Sequence, residues 1–334
     1  MVDESRPRRV EALNSGLAFE RPILELEQKI AELEKLAAST RLDLNGEIKL
    51  LRERLKRTIE ETYRHLTPWE RVNVARHADR PITQDYIEQM LDDFFELHGD
   101  GYFGDDRAMV TGMGKIGGRS VMLVAHRKGK TTKERLACNF GCAHPEGYRK
   151  ALRKMKLAER LRLPIVALIN TPGAYPGIGA EERGQARAIA ENILEMFGLA
   201  TPILSIVIGE GGSGGALGIG VGDKVAILQH AYYSVISPEA CSAILWRNGE
   251  RAPDAARALR LTSDDLLALG VVDEVIPEPL GGAHRDPPAM IAAVKQRVLA
   301  WLDELSAFST TELLDRRYRK FRYIAQGVLA PPPL

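Results

Sequence analysis

The chain has 334 residues, of which 45% are hydrophobic and 27% are charged, so it can bury one large core or two smaller ones. This composition excludes collagen-like, fibrous and wholly disordered proteins. Lysine and arginine together number 46 and aspartate and glutamate 45, a balance that argues against duplex nucleic acid as the main partner. Three cysteines, Cys138, Cys142 and Cys241, are too few for a disulfide framework and indicate a reducing compartment.

The beginning of the chain shows no targeting or membrane signal. The first 16 residues, MVDESRPRRVEALNSG, lack the apolar stretch of a signal peptide. The longest strongly apolar run, PIVALIN at 164–170, is far shorter than the roughly 20 residues that cross a bilayer. We therefore expect a cytoplasmic protein, without a membrane partner, that begins with a flexible polar leader over residues 1–18.

Residues 19–98 form a region of helical periodicity. Two runs of apolar residues recur at helical spacing: Ile23, Leu26, Ile30 and Leu33, then Ile48, Leu51, Leu55 and Ile59. Asn45-Gly46 lies between the runs and predicts a tight reversal, because both residues tolerate positive φ. The pattern predicts a helical hairpin, either an arm packed on its own domain or a docking arm for another subunit. A third helix is predicted over about residues 83–97.

Residues 99–306 change to an α/β pattern. AMVTGMGKI and RSVMLVAH flank Gly117-Gly118 and predict a β-hairpin. Farther along, strands are predicted at 164–169, 202–208, 224–228, 232–236 and within 261–279, and helices at about 147–162, 180–197, from 213, 238–246 and 286–305. This alternation predicts βαβ units and a sheet covered on both faces. Residues 307–334 form a basic, aromatic C-terminal tail that ends in three prolines.

Two glycine-rich loops each follow a predicted strand and precede a predicted helix. They are TPGAYPGIG at 171–179 and GEGGSGGALGIG at 209–220. Loops at the carboxyl ends of parallel strands are where α/β sheets place ligands. Glycines let backbone amides approach a ligand closely, and the start of a helix adds partial positive charge. The glycines serve either tight helix–sheet packing or a site for an oxyanion or phosphate, and two such loops in succession favour the anion site.

The second loop also matches the serine-hydrolase nucleophile motif G-x-S-x-G at residues 211–215. A nucleophile at Ser213 needs an acid and then a histidine farther along the chain, where only His230 and His284 occur. Neither histidine stands in a recognisable triad context, and a glycine-rich run matches this motif easily. A serine hydrolase is therefore the alternative enzyme class.

Two other partial motifs do not predict a site. GKT at 129–131 resembles the end of a nucleotide-binding loop, but Val124 stands where its first glycine belongs. The surrounding residues 127–135 are rich in lysine and arginine, which fits either an anionic partner or a solvated loop. The spacing C-x₃-C-x-H at 138–144 lacks the second ligand pair of a structural zinc site, so we expect no metal there.

At the two glycine-rich loops the sequence resembles a known family. INTPGAYPGIGAEERGQARAIAENI, GEGGSGGALGIGVGDKV and YYSVISPEACSAILW are closely similar to the carboxyltransferase alpha subunits of bacterial-type acetyl-CoA carboxylases. The similarity extends to RPILELEQKIAELE, ARHADRP, NFGCAHPEGYRKALR, IPEPLGGAHRDP and DRRYRKF, and it covers about residues 19–323. Asn170 and Gly218 stand where many members of the family have aspartate and alanine.

The resemblance implies a crotonase-like (ClpP/crotonase) fold of ββα superhelical units, which we assign to residues 99–306, after the helical arm or docking region of residues 19–98. It implies transfer of the carboxyl group of N-carboxybiotin, held by the biotin carboxyl carrier protein, to acetyl-CoA. The product is malonyl-CoA, in the first committed step of fatty acid biosynthesis. The implied partner is a zinc-bearing beta subunit in an α₂β₂ heterotetramer, without which this chain is inactive. ATP is used only by the biotin carboxylase partner.

The resemblance also implies where the chemistry lies. The backbone amides of Gly215 and Ala216 would donate to the ureido oxygen of biotin, with Gly214 allowing close approach. The other expected pocket residues are Gly212, Ser213, Gly173, Ala174, Tyr175, Pro176 and Gly177. No side chain is needed as a base, because biotin N1′ can take the α-proton, and no metal is expected in this chain. A scaffold that has lost its chemistry, with the hairpin organising partners, is the non-enzymatic alternative.

Overall fold

The computed structural model describes residues 17–40 and 43–324, so the predicted leader lies outside these residues except for residues 17–18. Two amphipathic helices, α1 (Arg21–Ser39) and α2 (Asn45–Arg64), form the predicted hairpin. The prediction of a reversal at Asn45-Gly46 is wrong, because both residues already belong to α2. The helix begins at Asn45, whose amide donates a hydrogen bond to the side chain of Asp43 at 3.1 Å.

The base of the hairpin packs on the chain's own core. Ile23 of α1 and Ile59 of α2 form a buried cluster with Val74 of the next helix, α3 (Pro68–Ala75). A second cluster, around Ile30 and Ile48, lies within the hairpin itself. The base therefore fits the interpretation of an arm packed on its own domain, whereas the distal half contributes only to the hairpin's internal cluster.

The third predicted helix is half as long as expected. Helix α4 (Thr83–Met90) ends where strand β1 (Asp92–Glu96) begins, so the prediction of helix over residues 91–97 is wrong. Strand β1 pairs antiparallel with β2 (Met109–Ile116), with an irregularity near Asp93, whose φ is +52°. Pairing with the sheet edge overrides the local helical pattern, and a sequence pattern does not display such pairing.

Six further strands follow in the described part of the chain: β3 (Arg119–His126), β4 (Ile165–Thr171), β5 (Ile203–Gly212), β6 (Lys224–Leu228), β7 (Tyr232–Ser234) and β8 (Glu274–Ile276). With β1 and β2 they form one central sheet, in the order β1-β2-β3-β4-β5-β6-β8, with β7 paired to β5. The predicted hairpin of β2 and β3 is confirmed, and both Gly117 and Gly118 have positive φ, as its two-residue turn requires. From β3 onward the strands are parallel.

Strand β5 has two different neighbours along its length. Its first half pairs with β6, and its last residues, Glu210 to Gly212, pair with β7. The strand is buried at all ten positions, as is β4 at all seven, which agrees with the predicted sheet covered on both faces. The extension of β5 carries the second glycine-rich loop beyond the main sheet.

Helices cover the sheet, close to the predicted positions. They are α5 (Thr132–Ala137), α6 (Pro145–Leu161), α7 (Ile178–Glu182), α8 (Gln185–Gly198), α9 (Ser213–Leu217), α10 (Pro238–Trp246), α11 (Ala252–Ala258), α12 (Ser263–Ala268), α13 (Pro287–Ser306) and α14 (Thr310–Arg322). The prediction of a single helix over 180–197 is wrong in one respect, because this segment forms two helices. Gly184, at φ +81°, separates α7 from α8.

The basic tail begins as a packed helix. Arg317 of α14 is fully buried, and its guanidinium forms an ion pair with Asp223 at 2.7 Å. Lys320 likewise pairs with Asp273 at 2.8 Å. These two cations of the basic tail are therefore paired within the chain. Within residues 17–40 and 43–324, no helix combines the length and apolarity needed to cross a membrane.

Candidate functional site

The two glycine-rich loops meet at the carboxyl edge of the parallel sheet. They follow β4 and β5, which are adjacent, and Thr171 at the end of β4 pairs with Gly211. A Cβ placed on Gly215 would lie 2.5 Å from the Ala174 nitrogen and the Gly173 carbonyl carbon, and one on Gly212 would collide with the Pro172 carbonyl. The absence of side chains at Gly212 and Gly215 is therefore what lets the backbones of the two loops touch. Of the expected pocket residues, this contact brings Gly212 and Gly215 together with Gly173 and Ala174.

The second loop becomes the single-turn helix α9. Gly215 is its third residue, so the Gly215 amide has no acceptor within the helix. Ala216 is the fourth, and in a regular helix its amide donates to the Gly212 carbonyl. Gly215 and Ala216 are both buried, whereas Ser213 and Gly214 are partly exposed. The turn thus leaves Ser213 and Gly214 partly exposed, whereas Gly215 lies beneath Gly173 and Ala174 and Ala216 is buried.

The first loop is held by side-chain hydrogen bonds. The Thr171 hydroxyl donates to the Gly173 carbonyl at 2.7 Å and accepts from the Gly173 amide at 3.1 Å. The side-chain amide of Gln185 donates to the carbonyls of Ala143 and Tyr175, at 2.8 and 3.0 Å. These contacts fix both ends of the loop.

The ring of Tyr175 is packed on two sides. It stacks on His144 with ring centroids 4.1 Å apart. It also occupies the space that a Cβ of Gly177 would need. Pro176 and Ile178, by contrast, are exposed, so they form the outer rim of the loop.

Buried charge lies at the start of the second loop. The Glu210 carboxylate accepts hydrogen bonds from Arg76 at 2.7 Å, from the Tyr232 hydroxyl at 2.8 Å and from Lys128. Burial alone would raise the pKa of Glu210, but Lys128 and Arg76 outweigh it and lower this pKa to about 2. Sequence reasoning missed this network. The one sequence signal for it was a single carboxylate, Glu210, within a glycine-rich loop. Its partners Lys128 and Arg76 could not be identified from the sequence, because they lie 82 and 134 residues earlier in the chain.

The basic segment 127–135 is largely paired within the chain. Arg127 contacts Glu96 at 2.8 Å, Lys128 contacts Glu210, and Lys130 contacts Asp85. These pairs favour the interpretation of a structured surface loop over that of a binding site for an anionic partner.

Ser213 resembles a hydrolase nucleophile in one respect only. Its φ of +50° places it on a strained turn between strand and helix, as in a nucleophile elbow. His230, however, lies beside Glu278, and His284 lies 3.5 Å from Glu20. Among the described residues neither histidine is hydrogen-bonded to Ser213. The geometry lacks the base that a serine nucleophile requires.

Possible metal ligands cluster elsewhere. In the described part of the chain, one group has ligand atoms within 4.8 Å of one another: Glu20, His77 and His284 at the base of the hairpin. Glu20 already accepts hydrogen bonds from Tyr63 and Arg285. Burial alone would raise the pKa of Glu20, but His284, Tyr63 and Arg285 outweigh it and lower this pKa to about 2.

The cysteines near the first loop are not poised as metal ligands. Burial raises the pKa of Cys138, and that of Cys142 to about 11, so both thiols stay protonated near neutral pH.

Comparisons with known proteins agree with this architecture. The family model described as acetyl co-enzyme A carboxylase carboxyltransferase-like matches residues 16–325. The acetyl-coenzyme A carboxylase carboxyl transferase subunit alpha of Rhodopirellula baltica is 57% identical over 307 residues, which are 92% of this chain and 96% of that protein. A protein of the same name from Thermus thermophilus is 54% identical over 316 residues, 95% of this chain and 99% of the other.

Solved structures identify the fold. Transcarboxylase 12S, crystallised as a hexamer, superimposes with a TM-score of 0.56 at 20% identity, over 68% of this chain and 42% of the other. The beta subunit of Pseudomonas aeruginosa geranyl-CoA carboxylase gives a TM-score of 0.52 at 17% identity, over 76% and 45%. This chain thus spans less than half the length of these solved chains, and they confirm the crotonase-like fold. With the family match along nearly its whole length, the chain belongs to the family of acetyl-CoA carboxylase carboxyltransferase alpha subunits.

Proposed function

We propose that this chain is the alpha half of a two-subunit carboxyltransferase that moves a carboxyl group from N-carboxybiotin to acetyl-CoA, giving malonyl-CoA. Relatives that carry the name of this subunit are 50–57% identical over more than nine-tenths of the chain. The chemistry of the family is biotin-dependent. The structural observation that carries the proposal is the contact of the two glycine-rich loops at Gly212 and Gly215.

The residues at this contact suit a site for a developing oxyanion. Carboxybiotin would supply an activated carboxyl group, whose departure leaves negative charge on the ureido oxygen. The amide of Gly215 has no helical acceptor and can donate to such an oxygen. The amide of Ala216 can share its hydrogen between the Gly212 carbonyl and the ligand, as is common at helix ends. One donor of this kind typically contributes about 10²–10³ in rate.

Access to both amides requires the first loop to move. Gly173 and Ala174 cover Gly215, and Ala216 is fully buried. We therefore propose that the loop from Gly173 to Gly177, including Ala174, Tyr175 and Pro176, swings away from α9 and then forms one wall of the pocket. This movement would break the hydrogen bonds that hold Gly173 to Thr171 and Tyr175 to Gln185. Gly212, Ser213 and Gly214 would form the opposite wall.

The charge network behind the loop supports the same chemistry. A carboxylate at position 210 would repel anionic substrates if it were alone. Because Arg76 and Lys128 both contact it, Glu210 contributes no uncompensated negative charge. The expected pocket residues themselves carry only backbone groups and the hydroxyls of Ser213 and Tyr175, which fits a reaction that stabilises an oxyanion without a side-chain base.

The partners belong to the proposal as well. The thioester enolate needs its own oxyanion donors, which we place in a zinc-bearing beta subunit, with the two chains in an α₂β₂ assembly. The biotin would be attached to the biotin carboxyl carrier protein, and ATP would be used by the biotin carboxylase. The product would feed fatty acid biosynthesis in the cytoplasm.

The decisive experiment is the reverse reaction, in which malonyl-CoA is decarboxylated and biocytin is carboxylated. The purified chain is assayed alone and after assembly with the beta subunit of the same organism. We expect activity only in the assembled complex, because the second oxyanion site lies in the partner. A stable complex that transfers no carboxyl group would contradict the proposal and leave the scaffold alternative.

A matched pair of alanine variants tests the site. A Cβ on Gly214 would meet Ile189 at an ordinary 3.6 Å, so Gly214→Ala is expected to fold and assemble. Gly214 is partly exposed, and we expect the added methyl group to lower transfer to biocytin by roughly a hundredfold through misplacement of the ligand. Gly198→Ala, where a Cβ meets nothing within 4 Å, is the control and should keep full activity. Full activity of Gly214→Ala would show that biotin binds elsewhere.

A further inference from the structure

The carbonyl of Gly215 points into the core, away from the first glycine-rich loop. At the end of the short helix α9, the amide of Gly218 donates to Gly214 and that of Ile219 donates to Ala216. The Gly215 carbonyl instead lies 3.4 Å from the hydroxyl of Tyr148, which donates to it. Tyr148 is on α6 and is fully buried. A buried hydroxyl from another helix therefore holds the backbone of the expected donor turn.

The position of this hydroxyl is fixed by the packing of its ring. A Cβ on Gly218 would lie 2.7 Å from the Cδ1 and Cε1 atoms of Tyr148, so the ring lies directly on the Gly218 backbone. The side-chain amide of Asn192 in turn holds the Gly218 carbonyl at 2.9 Å. Burial raises the pKa of Tyr148, with smaller contributions from Asp106 and Cys142, so the hydroxyl remains a donor.

A second buried polar side chain lies near the same carbonyl. His126, the last residue of β3, is fully buried, and its ring makes no hydrogen bond to a described residue. Burial lowers the pKa of His126 to about 3, and proximity to the Gly215 backbone opposes this effect only in part. His126 is therefore neutral at physiological pH, so it lies near the Gly215 carbonyl without adding a charge there.

We infer that Tyr148 is a positioning residue for the biotin-side oxyanion site, where its hydroxyl holds the Gly215 carbonyl and thereby orients the Ala216 amide. The carbonyl of Gly215 and the amide of Ala216 belong to one trans peptide and point in opposite directions. Fixing the carbonyl on the core side directs the amide toward the loop side. A hydrogen bond to the carbonyl also polarises the peptide and strengthens its N–H as a donor. This inference rests on the proposed function.

The role matters most when the first loop has moved. In the structure, Gly173 and Ala174 restrain Gly215 from the loop side. After the loop swings away, that restraint is lost and Tyr148 continues to hold the peptide from the core side. The hydroxyl then limits rocking of the peptide between Gly215 and Ala216, so that the Ala216 amide keeps the orientation it has in the helical turn.

The test uses the assembled complex and two tyrosine variants. Tyr148→Phe removes the hydroxyl and keeps the ring. Tyr86→Phe is the control, because Tyr86 is equally buried in the same core but its hydroxyl makes no hydrogen bond to a described residue. We expect Tyr148→Phe to lower kcat for biocytin carboxylation, per assembled complex, by about fivefold to tenfold, with the KM for malonyl-CoA within about twofold of the unchanged protein. Tyr86→Phe should keep both values.

The outcomes separate this inference from the proposed function. If the unchanged complex is active and Tyr148→Phe has the same kcat per assembled complex, the positioning role is wrong while the function stands. A lower yield of complex at unchanged kcat, or an equal loss in Tyr86→Phe, would assign Tyr148 to structure alone and overturn the inference. An inactive unchanged complex would contradict the function itself, and the inference with it.

Discussion

Gly214 and Gly215 are neighbours in the chain, yet the structure gives them opposite surroundings. The backbone of Gly173 and Ala174 covers Gly215, whereas Gly214 faces Ile189 at an ordinary contact distance. A methyl group is therefore tolerated by the fold at one position and excluded at the next. Two adjacent glycines can thus be separated by experiment into one that permits packing and one that permits ligand approach.

We predict that Gly215→Ala destabilises the chain. Its Cβ would lie 2.5 Å from backbone atoms that no rotamer change can move, and such overpacking costs about 1–3 kcal/mol. Urea unfolding of the isolated chain measures this loss. Gly198→Ala, at an open helical position, should be neutral or more stable by up to about 1 kcal/mol. Equal stability of Gly215→Ala and the unchanged chain would mean that the loops do not touch in solution.

The sequence was sufficient to select the two loops, but not to assign their individual residues. Glycine density after a strand indicates close backbone approach, and it says nothing about which glycine meets which neighbour. That choice depends on Pro172 and Ala174, which reach the second loop only because β4 and β5 pair in this register. For the same reason the contact of Tyr148 with Gly215 could not be predicted, because the two residues are 67 positions apart in the sequence.

At the scale of elements, periodic segments were predictable and edge segments were not. The strand β6 and the helix α10 occur where their apolar patterns predicted them. Strand β1 was missed because DDFFE becomes a strand through pairing with β2, a contact that no local pattern reveals. The turn before α2 was misplaced because the helix already begins at Asn45, whose amide donates to the side chain of Asp43, so the reversal precedes the Asn-Gly pair.

The C-terminal helix α14 offers a test of an element that sequence reasoning treated as a tail. Arg317 is fully buried, forms two hydrogen bonds to Asp223 and donates to the carbonyls of Met196, Leu199 and Thr201. Arg317→Leu would leave Asp223 buried without its cation, so we expect a loss of about 3–5 kcal/mol. The free energy of unfolding in urea measures it.

The matched control for this loss is Arg319→Leu on the same helix. Arg319 is exposed, and its ion pair within residues 17–40 and 43–324 is with Asp315 one turn away, so its removal should change stability by less than about 0.5 kcal/mol. Similar effects of the two substitutions would show that α14 is not docked on the body of the chain in solution.

For the whole molecule, the buried histidines set a common dependence of stability on pH. Burial lowers the pKa of His126 to about 3 and that of His230 to about 4, and it also lowers the pKa of His77. In the unfolded chain each returns to about 6.5. Below pH 6.5 the unfolded state therefore binds more protons than the folded state, and lowering the pH favours unfolding.

We predict that the free energy of unfolding is highest above pH 6.5 and falls as the pH decreases from 6.5 to 4.5. His126 and His230 each contribute a slope of about 1.4 kcal/mol per pH unit in this interval. Glu20, Glu210 and Glu278, whose pKa values are lowered to about 2, add to the loss only below about pH 4.5. Urea unfolding at pH 7.0, 6.0 and 5.0 separates the histidine interval from the carboxylate interval.

Replacing one histidine identifies the origin of this slope. His126→Asn removes the titrating ring while keeping a polar side chain, so its stability should be lower at pH 7 but should fall by about 1.4 kcal/mol less per pH unit between 6.5 and 4.5. The two unfolding curves should therefore approach each other as the pH decreases. Parallel curves would mean that the His126 ring takes up its proton over the same pH interval in the folded chain as in the unfolded chain. The core beside Gly215 would then be open to water rather than closed around a neutral ring.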